Sequence, residues 1–218
     1  MSIYSIIIAR GGSKGIPKKN IMKINNKPLI EYTIEQCLNS IIDDVYTSSD
    51  DDEILEIASK LGSKIIKRPS EFSSDQSTSE EAWLHAISKI PNIDINNDWI
   101  FAPQVTSPLR HVNDINNALK MALTERWDSI FSGVKFEDFF LWQKNNDSLE
   151  SYNYDFQDRK RRQDIQKITY LENGSFYIFK PHGLKRFSNR LYGRIGVFVM
   201  DKIKMFQIDT IEDIDIIE

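Results

Sequence analysis

One cysteine, three histidines and no surplus of positive charge narrow the field before any motif is read. A lone Cys37 rules out an internal disulfide and fits a reducing compartment; it lies in an apolar helical pattern and reads as core. The histidines, His85, His111 and His182, fall outside every cluster described below and read as structural. Lys and Arg number 28 against 32 Asp and Glu, a net charge of -4, so nothing suggests a global nucleic-acid surface. An anionic ligand would have to be met by a local cluster. No apolar run approaches the ~20 residues of a membrane span, and the first residues lack the basic-then-apolar pattern of a secretion signal. The 218 residues, 40% of them apolar, suffice for one α/β core. The expectation is a single cytoplasmic domain over 1–218, without membrane or nucleic-acid partners.

Glycine is also scarce, nine in all, yet three fall within five residues at Gly11, Gly12 and Gly15. They follow an apolar β-branched run, Ile6-Ile7-Ile8, which reads as a buried strand entering a loop. Arg10, Lys14, Lys18 and Lys19 add four cations, and glycine lets backbone N–H groups approach an anion closely. The loop therefore reads as a phosphate site. It is not a P-loop: counting six on from Gly11 or Gly12 reaches Pro17 or Lys18, and Lys18 is followed by Lys19 rather than Ser or Thr. Nor is it a dinucleotide fingerprint, since the glycine spacing is wrong and Pro17 interrupts the place where the helix would begin.

The rest of the chain alternates strands and helices. A helix over about 28–40 has Pro28 in its first turn; Asp44–Ser49 is a strand; Ser49 or Asp50 caps the following helix, whose first turn carries Asp51, Asp52 and Glu53. Ser63–Lys67 is a third strand, followed by a long polar loop, Arg68–Ser79, of the kind that is usually functional or mobile. Thr78 or Ser79 caps a helix running from about Glu80 to Ile90. Trp99–Ala102 is a fourth strand, and Gln104 should share a rim with Arg10 because ligands of open α/β sheets bind beyond the carboxyl ends of strands. Val112–Arg126 is amphipathic with Ile115, Leu119, Ala122 and Leu123 on one face, and Ser129–Val134 is a fifth strand. From Phe136 the character changes to aromatic-rich and then polar without helical period, which suits either a cover for another subunit or a hairpin folded back on its own sheet. Glu172–Phe179 and Val197–Met200 close the strand pattern.

Ala9–Asn20 resembles the signature loop of the CMP-sialic acid synthetases, cytidylyltransferases that activate nonulosonic acids and, more distantly, Kdo. Thr106-Ser107-Pro108-Leu109-Arg110, Arg162-Gln163, Asn173-Gly174-Ser175-Phe176-Tyr177-Ile178 and Asn189-Arg190-Leu191-Tyr192-Gly193-Arg194-Ile195-Gly196 extend the resemblance along nearly the whole chain. It implies a Rossmann-like nucleotidyltransferase fold of three layers, α/β with a mostly parallel sheet, and a dimerisation extension at about 136–165. It also implies that CTP and a 2-keto-3-deoxy sugar acid react to CMP-sugar and pyrophosphate in a homodimer whose partner supplies residues to the sugar site. Carried over position by position, nucleotide binding falls on Ala9, Arg10, Gly11, Gly12, Ser13, Lys14, Asn20, Arg68, Ser77 and Ser79, and sugar binding on Gln104, Arg162, Asn173 and Tyr177. Arg10, Lys19, Gln104 and Asp209 are the catalytic set, with Asp209 as ligand to Mg²⁺. Three departures matter: Val105 stands where proline is common, the spacing after Arg162-Gln163 is one residue longer and leaves Arg159, Arg161 and Arg162 open, and Gln207 replaces the first of two aspartates. Two alternatives stay open, a CMP-Kdo synthetase and a CTP-binding module without catalysis.

Overall fold

The computed structural model describes residues 1–13, 15–136, 140–164 and 168–217, without the side chains of Arg162, Ile216 and Ile217. In chain order the elements are β1 (Ile3–Ile8), β2 (Lys23–Ile24), β3 (Lys27–Pro28), α1 (Leu29–Leu38), β4 (Asp44–Ser49), α2 (Asp52–Lys60), β5 (Lys64–Lys67), α3 (Ser79–Ile87), β6 (Trp99–Pro103), α4 (Val112–Thr124), β7 (Ser129–Lys135), β8 (Trp142–Asn145), β9 (Ser148–Ser151), β10 (Tyr170–Phe179), α5 (Pro181–Phe187), β11 (Ile195–Met200) and α6 (Glu212–Ile217). Seven strands form one sheet in the order β11-β7-β10-β6-β1-β4-β5. Its neighbours run parallel except β10, which lies antiparallel between β6 and β7.

Both faces of the sheet are covered, which is why β1 is apolar almost throughout instead of alternating. The period of two still sorts its side chains: Ile3 and Ile7 pack with Leu29, Ile30 and Ile34 of α1 and with Ile115 and Leu119 of α4, whereas Tyr4 and Ile6 pack with Trp83 and Ile87 of α3 and Leu184 of α5. The result is an α–β–α sandwich with two separate cores.

Strand order reverses between β1 and β6, so their carboxyl ends splay apart at a topological switch point. Because β1, β4, β5 and β6 are parallel, the residues that follow them (Arg10, Asp50, Arg68 and Gln104) share one rim, and antiparallel β10 brings its first half, Glu172–Ser175, to the same edge.

Several expected boundaries move, each for a physical reason. Asp51 caps α2, accepting from the amides of Glu53 and Ile54 at 2.8 and 3.2 Å, because the Asp50 carboxylate is engaged by the Gly11 amide. Thr78 caps α3 in a capping box with Glu81, and the helix stops at Ile87, short of Pro91. On α4, Leu123 is exposed and Ala118 takes its place on the buried face. The short α5 was not anticipated, although Pro181 at its first turn is an ordinary start signal. In the aromatic-rich stretch, β8 and β9 pair with each other in a two-stranded sheet apart from the main one.

Candidate active site at the sheet rim

The loop leaving β1 is fastened from three sides. The Ala9 amide donates to the Ser48 carbonyl at 3.0 Å, the Asn20 side-chain amide donates to the Arg10 carbonyl at 2.9 Å, and the Gly11 amide donates to Asp50 Oδ1 at 3.2 Å. Gly11 is obligatory by close approach: a Cβ there would lie 2.6 Å from Asp51 Oδ2. Gly12, by contrast, faces open space, and the Ser13 amide turns back to the Gly11 carbonyl at 3.2 Å. Lys14 lies outside the described residues.

The cations of this loop divide into two groups. Arg10 Nη1 donates to Asp75 Oδ1 at 3.0 Å across the rim, and Lys19 Nζ donates to Asp209 Oδ1 at 2.9 Å with its side chain only 16% exposed. Lys18, held in left-handed backbone conformation, reaches instead to Glu53 on α2 at 2.5 Å, and this hydrogen bond raises its pKa. Arg10 and Lys19 therefore remain at the rim while Lys18 is drawn off behind it.

Beside Arg10 lies Arg68, which is only 4% exposed. Its Nε donates to Ser73 Oγ at 2.9 Å and Nη2 stands 3.9 Å from Asp50 Oδ1. Burial lowers its pKa, Asp50 opposes that shift, and the nearby Arg10 charge adds to it. Asp50 is thus the counter-charge that lets two arginines sit side by side. Ser77 spends its hydroxyl inside the loop, donating to the Glu71 carbonyl at 2.8 Å and pairing with Ser74 Oγ at 2.8 Å, and Ser79 is the first helical residue of α3.

On the other side of the switch point, the main-chain N–H of Gln104 donates to the Ser175 carbonyl at 3.0 Å, which places Gln104 against the opening of β10. Asn173 is buried and fully engaged: Nδ2 donates to the Lys204 carbonyl at 3.0 Å, and Oδ1 accepts from Ser132 Oγ at 2.7 Å and the Ser175 amide at 3.2 Å. Its side chain supports the rim from below. Tyr177 is buried in the α3-side core, and its hydroxyl donates to Glu172 at 2.5 Å. Arg190 lies 4.6 Å above the Tyr177 ring and 4.8 Å from that of Trp83, and its Nε donates to Glu80 at 2.8 Å. Burial and the Glu172 carboxylate raise the Tyr177 pKa, so the phenol stays protonated.

Of the three arginines left open in the extension, Arg159 stacks at 4.0 Å over Phe140 and Arg161 pairs with Asp164 at 2.7 Å. The Arg162 side chain lies outside the described residues.

Among the described residues no group of three or more His, Cys, Asp or Glu is placed to hold a metal. Asp209, 67% exposed at its side chain, is the rim carboxylate that could serve as a ligand. That donor set suits Mg²⁺, which commonly takes one or two carboxylates and completes its shell with substrate phosphates and water. Gln207 offers nothing comparable, since its amide is occupied between Thr106 and the Asn173 carbonyl.

Sequence reasoning missed Asp75, the Asp50 counter-charge and the Glu80–Arg190 pair. Each depends on contacts that no local pattern encodes; Arg10 and Asp75, for example, are 65 residues apart in the chain.

Comparison with known proteins gives the family and the fold. A family model described as cytidylyltransferase matches residues 4–218. N-acylneuraminate cytidylyltransferase B of Danio rerio is 37% identical over 97% of this chain and 49% of its own length. A pseudaminic acid cytidylyltransferase of Campylobacter jejuni is 34% identical over 99% of this chain and 94% of its own. The chain thus spans about half the zebrafish protein and nearly all of the bacterial one. Among solved structures, a CMP:2-keto-3-deoxy-manno-octonic acid synthetase complexed with CTP has a TM-score of 0.72 at 14% identity, covering 100% of this chain and 97% of that one. A likeness at that identity speaks to the fold.

Proposed function

Because the chain belongs to the cytidylyltransferase family, we propose that it transfers CMP from CTP to the anomeric hydroxyl of a nonulosonic acid and releases pyrophosphate. The observation that carries the reading is the convergence at one switch point of Arg10, Lys19 and Asp209 on one side and Gln104 on the other. A triphosphate and a sugar acid then meet across the crevice.

In this mechanism Arg10 and Lys19 hold the triphosphate, with Lys14 supporting, and the loop amides around Gly11–Ser13 approach its oxygens. Arg68, Ser77 and Ser79 border the base and ribose, and Asn20 keeps the loop open by holding the Arg10 carbonyl. Gln104 orients the sugar, Tyr177 lines the floor beneath it and Asn173 supports the floor. Cytidylyltransferases of this kind generally use a divalent metal, and we assign Mg²⁺, held by Asp209 and the substrate phosphates. When bound, the ion supplies positive charge to the α-phosphoryl and leaving pyrophosphate oxygens. Attack of the anomeric oxygen on the α-phosphorus breaks the α–β bridge, and the fixed cations stabilise the charge that builds on the non-bridging and leaving oxygens. His85 lies against the Phe72 ring at 5.3 Å, His182 lies against Tyr192 and His111 precedes α4, so we assign the departing hydroxyl proton to a substrate phosphate oxygen. Among the described residues no helix is long and apolar enough to cross a membrane, and with CTP as substrate we place the activity in the cytoplasm.

The test is pyrophosphate release with Mg²⁺ and CTP, running N-acetylneuraminate, a legionaminate, a pseudaminate and Kdo in parallel, with ATP, GTP and UTP as controls. Turnover confined to CTP and one nonulosonate is the expected result. Turnover with Kdo alone would move the chain to that substrate, and CTP binding without turnover would make it a nucleotide-binding module.

A further inference from the structure

Gln207 stands where a second metal-binding carboxylate is expected, and its surroundings are incompatible with that role. Its Oε1 accepts from Thr106 Oγ1 at 3.1 Å, and its Nε2 donates to the Asn173 carbonyl. A carbonyl oxygen is an acceptor only, so the group facing it must be a donor, which an amide provides and a carboxylate does not. The next residue reinforces the link, because the Ile208 amide donates to the Thr106 carbonyl at 2.8 Å. Gln207 thereby ties together the loop after β6, the opening of β10 and the chain segment that carries Asp209.

What it holds in place is the sugar side of the rim. Gly174 follows Asn173 with φ of +64°, and a Cβ built there would lie 2.7 Å from Gln207 Nε2 and 3.3 Å from Gln104 Oε1. The two glutamine amides therefore close over the same glycine from two elements. Gln104 is itself moored to β10 through the Ser175 carbonyl. Without the Gln207 bridge, Thr106 and Asn173 each lose a partner, and Thr106 follows Gln104 by two residues in the same loop.

We infer that Gln207 is a positioning residue for the sugar-acid site: it fixes Gln104 and the Asn173–Gly174 turn at the separation the sugar needs, and it takes no part in holding the metal. This rests on the cytidylyltransferase reading above. It accounts for the missing carboxylate without loss of catalysis, since one aspartate and the phosphates complete a Mg²⁺ site.

The test compares Gln207→Met, which keeps the length without hydrogen bonds, and Gln207→Glu, which is isosteric but sets an anion against the Asn173 carbonyl. Each is measured for the two substrate KM values, the Mg²⁺ concentration at half-maximal rate, and amide hydrogen exchange over 104–108 and 173–176. The expected result is a sugar-acid KM raised about tenfold in both, the effect of leaving a buried acceptor without its donor, with CTP KM and Mg²⁺ half-saturation within about twofold of the parent and faster exchange confined to those segments. Thr106→Val should reproduce part of the effect and add little to Gln207→Met. A fall in the Mg²⁺ requirement in Gln207→Glu with sugar KM unchanged would overturn the inference and restore position 207 as a metal ligand. If the parent protein turns over no sugar acid, the parent reading fails by itself; unchanged exchange over the two segments in Gln207→Met would then separately refute the bridge.

Discussion

Arg10 Nη1 donates to Asp75 Oδ1 at 3.0 Å, and on the reading proposed above a phosphate that binds this guanidinium competes with that carboxylate. The pair is partly exposed, with side-chain exposures of 34% and 53%, so its own strength is modest, within the usual range of about 0–1 kcal/mol for such pairs. Its consequence is electrostatic competition: a carboxylate 3.0 Å from the guanidinium lowers the positive potential offered to the triphosphate. Asp75→Asn is therefore expected to tighten CTP binding by roughly twofold to fivefold, most visibly at low salt, in isothermal titration. Weaker binding would mean that Asp75 orders the loop more than it competes. The four cations of the β1 loop were legible in the sequence because a glycine-rich basic loop after an apolar strand is a local pattern, whereas the choice of Arg10 and Lys19 among them came from the resemblance. Asp75 was not, because nothing in Ser73–Thr78 distinguishes a solvated loop from one that closes on a residue in another element. Arg110 makes the same point in reverse. It ends the Thr106–Arg110 motif that carries the resemblance, yet its place in the sequence does not show that the side chain is 1% exposed, donates to the Ser175 carbonyl at 2.7 Å, and has its pKa lowered to about 10 by burial.

Strands and helices carry the site by their ends, and the tightest junction is where the β1 loop crosses the start of α2. Asp51 there serves two demands at once, capping α2 and leaving room for the Gly11 backbone. Gly11→Ala would push a methyl group into Asp51 Oδ2 at 2.6 Å, displacing both the cap and the loop. Loss of the cap alone costs about 1 kcal/mol, and displacement of the loop should raise CTP KM by tenfold or more on the scale of losing one anion contact. Gly12→Ala, whose added methyl meets no non-neighbouring atom within 4 Å, puts a methyl group in the same loop without the clash and so isolates the effect of the Asp51 contact. Thermal unfolding with CTP titration separates the two, and equal behaviour of both variants would remove the junction from the argument. Most elements of the sandwich were readable from apolar period and helix start signals. The antiparallel insertion of β10 was not: its run Phe176–Phe179 is buried on both faces, so periodicity reports burial but gives neither direction nor neighbours. The choice of Asp51 over Asp50 as cap was equally hidden, since it is decided by an amide 39 residues away.

Taken whole, the molecule keeps one part outside its two cores. Among the described residues the β8–β9 hairpin joins no strand of the main sheet, and Leu141, Trp142, Leu149, Tyr152 and Phe156 are exposed along it and its flanks. Its aromatics still organise one another, with Trp142 5.5 Å from Phe156 and 6.0 Å from Tyr154, and Phe140 4.5 Å from Tyr154. A two-stranded hairpin is marginal alone in water, and an ordered aromatic surface of this kind gains most when a second surface removes it from solvent. We propose that the second surface belongs to another copy of the chain, which would also carry the Arg159–Arg162 segment toward the neighbouring crevice. In sedimentation velocity the protein should then run as a dimer, and Trp142→Lys combined with Phe156→Lys should run as a monomer, because two buried cations without partners oppose association. The monomer should still bind CTP, whose proposed contacts all come from the sheet rim of its own chain, while its turnover of sugar acid falls at least tenfold if the partner completes that site. A monomeric parent protein, or a monomeric variant with full turnover, would confine the whole reaction to one chain and leave the hairpin without a part in it.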